Sequence, residues 1–133
     1  MGIDLKQVST AALAYLGDSV FELMVRQMLV EKGITDSRHL NTEALKYVTA
    51  SAQAAAVKKI LGALSEEEDA VYHRGRNIGH TNVPKHATVM EYRMATGLET
   101  LFGYLHLTGR SERIEELFAL SLEGGEYKEQ SKG

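Results

Sequence analysis

LAYLGDSVFE, residues 13–22, is the stretch whose reading decides the fold of this chain. Leu13, Leu16, Val20, Met24 and Gln27 recur at helical intervals, and further hydrophobic residues widen that stripe on both sides. This is a core helix. Asp18 stands within it among small neighbours. At about 100° per residue it falls beside Ala11, Ala14, Val25 and Leu29, away from the polar edge. A carboxylate near an apolar flank is costly unless it meets a cation or a hydrogen-bond donor.

ATGLETLFGYL, residues 95–105, repeats the arrangement. Met94, Leu98, Leu101 and Leu105 form the stripe, and Glu99 projects next to Ala95, Thr96 and Gly103. Both acids therefore have open space before them. Gly17, Gly97 and Gly103 add to it, each costing roughly 0.5–1 kcal/mol relative to Ala inside a helix. Another backbone, a ligand or a metal is expected to come close there. Taken singly, either acid reads equally well as a boundary residue ion-paired to Arg or Lys. The pair, each member set among small residues, favours chemistry.

The rest of the chain reads as helix almost throughout, so the fold class is all-α. Ser9 is the expected N-cap of a first helix reaching Lys32, with Gly33 as its stop. Asp36 or Ser37 caps a second helix, and SAQAAAVKKILGAL, 51–64, makes a third. Ser65 with Glu68 has capping-box spacing and opens a fourth helix through Arg74. Thr88 with Glu91 repeats that spacing at the start of the Glu99 helix, which Gly109 ends. A last helix covers 111–123, and the glycine- and charge-rich residues 124–133 are expected to be a disordered tail. No repeat, strand pair or hairpin signal is present.

With 133 residues, one domain over residues 1–123 accounts for the length. The absence of cysteine excludes disulfides, thiolate metal sites and a thiol nucleophile. MGIDLKQVST has none of the successive regions of a signal peptide, and no apolar run reaches the ~18–20 residues of a membrane span. A soluble, cytoplasmic protein is expected. A net charge of −3 argues against general coating of nucleic acid but leaves room for a local basic surface.

Such a surface is visible around GRNIGHTNVPKHA, 75–87, the one long irregular stretch, which holds the only proline. Between Val71 and Arg93 the basic residues Arg74, Arg76, Lys85 and Arg93 face one acid, Glu91, a net +3. Long loops in small domains usually have a function, and glycines beside Arg and Asn suit contact with phosphates and sugars. The alternative is a solvated loop that balances the acidic run at 66–69.

These motifs carry a family resemblance. LAYLGDSVFE resembles the signature helix of the ribonuclease III catalytic domain, and ATGLETLFGYL resembles its second metal-binding helix, in the same order and at a similar separation. The resemblance spans roughly residues 5–123. It is strongest to the short Mini-III branch, which lacks a separate double-stranded-RNA-binding domain, through ALAYLGDSVFE, HRGRN (73–77), VPK (83–85) and YRMATGLETLFGYLHL (92–107). Ala11, Ala14 and Thr96 stand where ordinary members carry further acids, and similar replacements occur in that branch.

The resemblance implies a homodimeric endoribonuclease that cuts each strand of an RNA duplex, leaving 5′-phosphate and 3′-hydroxyl ends. It implies the stem of the 23S ribosomal RNA precursor as substrate, and the 75–87 loop, with Arg74, Arg76, Asn77 and Lys85, as the grip on RNA. Asp18 and Glu99 are then the catalytic residues and the ligands of Mg²⁺, a cation content with one or two carboxylates plus water and phosphate. A relative that binds structured RNA without cutting it, or a helical interaction module, are the alternatives.

Other features are read as structural. Glu22 is expected to pair with Arg26 at i+4, Ser19 has no His to activate it, and Tyr15, Phe102 and Tyr104 are expected to pack. The first helix is apolar around too much of its circumference for one small domain. Its surplus, near Leu16, Val20 and Phe21, is expected to face a second copy.

Overall fold

A computed structural model describes residues 4–78 and 86–123, and every regular element among them is helical. A short 3₁₀ turn, Leu5–Gln7, leads into α1 (Thr10–Glu31). Then follow α2 (Ser37–Val48), α3 (Ala50–Ile60), α4 (Glu66–Arg76), α5 (Val89–Leu107) and α6 (Ser111–Leu122). The expected tail at 124–133 and Lys85 lie outside the described residues.

Local chemistry sets most of the boundaries. The Ser9 hydroxyl accepts from the Ala12 amide (3.0 Å), and the Asp36 carboxylate, not Ser37, accepts from His39 (3.0 Å). Both capping boxes close: Ser65 with Glu68 at α4, and Thr88 with Glu91 at α5. Gly33 and Gly109 take φ of 91° and 72°, the left-handed conformation that lets a helix stop where other residues would be strained.

Two boundaries depart from expectation. The third helix tightens into a 3₁₀ turn, Leu61–Ala63, instead of running to Leu64. The fourth continues past Arg74, so Gly75 and Arg76 are helical and the irregular stretch starts at Asn77. Gly75 is buried against Thr100 and Gly97 of α5. That packing offsets the propensity cost of a glycine in the last turn.

The centre of the fold is α5, which packs against α1, α3, α4 and α6. Leu98, Leu101, Phe102 and Leu105 are wholly buried along it. Phe21 of α1 meets Phe102 and Phe118 edge to face, with centroids 5.6 and 5.7 Å apart. Arg113 of α6 reaches back to the buried Glu68 (Nε to Oε2, 2.8 Å) and to the Ala63 carbonyl, tying α6 to the start of α4.

The expected dimer face is corrected by this packing. Phe21 is 2% exposed and Val20 is buried, both inside their own domain, and Leu16 packs against the same core. The surplus apolar surface of α1 lies elsewhere, at Tyr15 (85% exposed), Leu23 (63%) and Val30 (61%). Tyr15 is therefore a surface residue, not core. α1 contacts both α2 and α5, and this covers more of its circumference than its sequence indicates.

Candidate functional site

The site is made by a crossing of two backbones. A Cβ on Gly17 of α1 would run into the carbonyl group of Glu99 and come within 2.8 Å of the Gly103 nitrogen. A Cβ on Gly103 of α5 would in turn run into the carbonyl of Leu13. Only glycine at both places lets α1 and α5 approach this closely. Asp18, next in sequence to Gly17, is thereby brought beside Glu99. Gly97 is filled on the opposite side of α5, where a Cβ would lie 2.6 Å from the Tyr72 ring. At all three glycines the close neighbour is protein.

The two acids differ in surroundings. Asp18 is exposed, whereas Glu99 is mostly buried. Burial, more than any other cause, pushes the Glu99 carboxyl up to about 8; the adjacent Asp18 charge and the hydrogen bond between the two side chains act in the same direction. Gln53 of α3 acts on Glu99 in the other direction. Near neutral pH the Glu99 carboxyl therefore holds its proton in the metal-free protein.

This donor set fits a hard divalent cation. Two carboxylates held together against their own repulsion are stabilised by a counter-charge, and oxygen donors suit Mg²⁺. Among the described residues no group of three His, Cys, Asp or Glu converges. The Thr96 hydroxyl donates to the Tyr92 carbonyl (3.0 Å).

Asp18 opens onto a shallow cleft lined by Ser19, Glu22, Leu23 and Arg26. Glu22 takes Arg26 at 2.6 Å, the pairing its spacing predicts. The Ser19 hydroxyl donates to the Leu16 carbonyl (2.9 Å). Phe102 is core, and Tyr104 is half-buried with its hydroxyl on Glu67.

The basic residues sit at the end of α4. Arg74 is exposed and its Nη2 donates to Thr10 Oγ1 (3.0 Å) at the start of α1. Thr10 precedes Asp18 by eight residues on that helix, roughly 12 Å at 1.5 Å per residue. Arg76 is half-buried, and its Nε is enclosed without a hydrogen-bond partner among the described residues. Asn77 is exposed at the C-terminal cap of α4.

Gln53 was not anticipated. It is 3% exposed, on the inward face that also carries Ala56, Val57 and Ile60. The available signal was one polar residue in register with that apolar stripe.

A profile described as Ribonuclease III domain matches residues 11–110. A protein of Enterococcus faecalis named Mini-ribonuclease 3 is 47% identical over 116 residues, which cover 86% of this chain and 88% of the relative. A protein of the same name from Clostridium tetani is 39% identical, covering 98% of this chain and 87% of the relative. The crystal structure of a Fusobacterium nucleatum protein superposes with a TM-score of 0.80 at 33% identity, covering 88% of this chain and 93% of that one.

Proposed function

This chain belongs to the ribonuclease III family, in its Mini-ribonuclease 3 branch, and is an endoribonuclease; from that premise we propose that Asp18 and Glu99 are its catalytic carboxylates and hold Mg²⁺ between them. The observation that carries the assignment is their contact across the Gly17–Gly103 crossing, in a family that uses a divalent metal on double-stranded RNA. When bound, the cation lowers the pKa of an attacking water and stabilises charge developing on the phosphodiester. The two side chains would supply the negative charge that localises it, and binding would release the proton held by Glu99. Hydrolysis yields a 5′-phosphate and a 3′-hydroxyl.

Arg74, Arg76, Asn77 and Lys85 hold the RNA backbone in this proposal. The support is the enclosed Arg76 Nε, which has no hydrogen-bond partner among the described residues, and the anchoring of Arg74 on α1, the helix that carries Asp18. The substrate is the duplex stem of the 23S ribosomal RNA precursor, and the enzyme works in the cytoplasm as a homodimer that brings one site to each strand. The apolar stripe of Tyr15, Leu23 and Val30 is the surface offered to the second copy. No helix among the described residues is long and apolar enough to cross a membrane.

Asp18→Asn and Glu99→Gln test the assignment. Each is expected to stay folded and to lower duplex cleavage by on the order of 10³, about 4 kcal/mol of barrier. Near-normal turnover by either variant at saturating Mg²⁺ would remove it from the metal site.

A further inference from the structure

A cleft of about 510 Å³ opens where the end of α6 meets α1, α2 and α3, on residues that take no part in the acid site. Its floor is apolar, with Phe21 and Met28 of α1 and Ala52 and Ala56 of α3. Its rim is basic: Lys32 closes α1, Lys46 lies in the last turn of α2, and Lys59 lies in the last turn of α3. Lys46 has Glu43 at 2.9 Å. Lys32, 6.0 Å from the centre of the Tyr47 ring, and Lys59 have no carboxylate within ion-pairing distance among the described residues. In a chain of net charge −3, such a cleft suits an occupant that joins an apolar group to carboxylates. Duplex RNA presents no such group unless a base is unpaired.

We propose that the occupant is this chain's own segment EYKE, residues 126–129, with the Tyr127 ring on the apolar floor and the flanking Glu126 and Glu129 on the lysine rim. The first support is where α6 ends. Its last helical residue is Leu122, and both Ser121 and Leu122 line the cleft. Glu123 then leaves the helix in an extended conformation (φ −72°, ψ 128°). The second support is reach. Five residues separate Leu122 from Tyr127, a span of up to roughly 17 Å, and Gly124 and Gly125 between them permit a sharp reversal. The third is complementarity, since two carboxylates flank one aromatic ring as unpaired lysines border an apolar floor. Leu122, 38% exposed, would lose contact with water under the same segment. A short flexible linker holds its ends together at an effective concentration of about millimolar order. A contact too weak to retain a free peptide is therefore occupied within one chain.

The test is methyl NMR on the full chain, on Tyr127→Ala and on a chain ending at Glu123. In the full chain the Met28, Ala52 and Ala56 methyl resonances should be displaced upfield by the Tyr127 ring. Both variants should lose that displacement, and all other methyl resonances should stay in place. Lys32→Glu combined with Lys59→Glu should abolish it as well. Adding Glu126→Lys and Glu129→Lys to that pair should restore part of it, a rescue that packing alone does not give. Resonances identical in the full and shortened chains would overturn the proposal, as would a charge exchange that restores nothing. Displacements that grow with protein concentration would assign the cleft to the tail of a second copy and overturn it too. A single-stranded RNA oligonucleotide that moves these methyls, in a protein whose own tail does not, would assign the cleft to RNA instead.

Discussion

The carbonyl group of Glu99 occupies the space that a side chain on Gly17 would need. A neutral glycine on one helix thus decides how near a carboxylate on another can come to Asp18. The metal-binding geometry proposed here depends on this steric relation as much as on the acids.

Gly17→Ala is therefore expected to force α1 and α5 apart. Overpacking typically costs 1–3 kcal/mol, and two backbones in contact have no side chain to swing aside, so the upper end or beyond is expected. Gly62→Ala is the control, because a Cβ there meets nothing within 4 Å. Urea melts should show a large loss for the first and almost none for the second. Equal midpoints would mean that the helices can separate without cost.

Glu99 should make the metal-free protein sensitive to alkali. Its folded-state pKa of about 8 lies above the ordinary 4.5. Between these values the native state binds a proton that the unfolded chain does not, so stability falls as pH rises through the interval. The favourable contribution is complete below 4.5 and is lost by the time pH passes 8. In EDTA, Glu99→Gln should become more stable than wild type as pH rises, by on the order of a few kcal/mol. Denaturation curves of constant separation across that range would contradict the burial of the carboxyl.

Assembly is expected to depend on the outer stripe of α1 and not on its inner face. Val30→Glu should leave the monomer folded and shift sedimentation at micromolar concentration from dimer to monomer, with loss of double-strand cutting. Phe21→Ala should instead lower the melting temperature, since Phe21 packs on Phe102 and Phe118. A wild-type protein that is monomeric and cuts both strands would refute the dimer.

Arg74, Arg76 and Lys85, replaced together by alanine, should weaken duplex binding and flatten its salt dependence. The expected loss is somewhat under one unit of slope per phosphate contact, if counterion release from duplex RNA resembles that from DNA. Ca²⁺ in place of Mg²⁺ suppresses cutting during the titration. The loss should be alike for duplexes of different sequence, because phosphate contacts carry little base information. Identical slopes would place the RNA grip elsewhere.

Much of this fold was legible because its signals are local. Ser65 with Glu68 and Thr88 with Glu91 close their capping boxes within four residues, and Gly33 and Gly109 end helices by their own backbone freedom. The prominence of Asp18 and Glu99 was legible for the same reason, as each interrupts a periodic apolar pattern. What stayed hidden depends on the third dimension. Val20 and Phe21 are hydrophobic whether they face α5 or another molecule, so periodicity alone misassigned them. Tyr15 looked like core because a tyrosine between Ala14 and Leu16 carries no mark of its direction. Gly75 reads as a helix stop until Thr100 is placed against it.

The glycines have a consequence for genetics. Gly17 and Gly103 lock α5 to α1, while Gly75 and Gly97 seat it against α4, so this helix is gripped at backbone distance from two directions. In a screen for loss of activity, these four chemically inert positions should score as intolerant as the acids themselves. A mutational map read without the structure would count them as part of the reaction. Protein abundance measured alongside activity separates the two groups: variants at the glycines should disappear from the cell, while Asp18→Asn and Glu99→Gln accumulate as intact, idle enzyme.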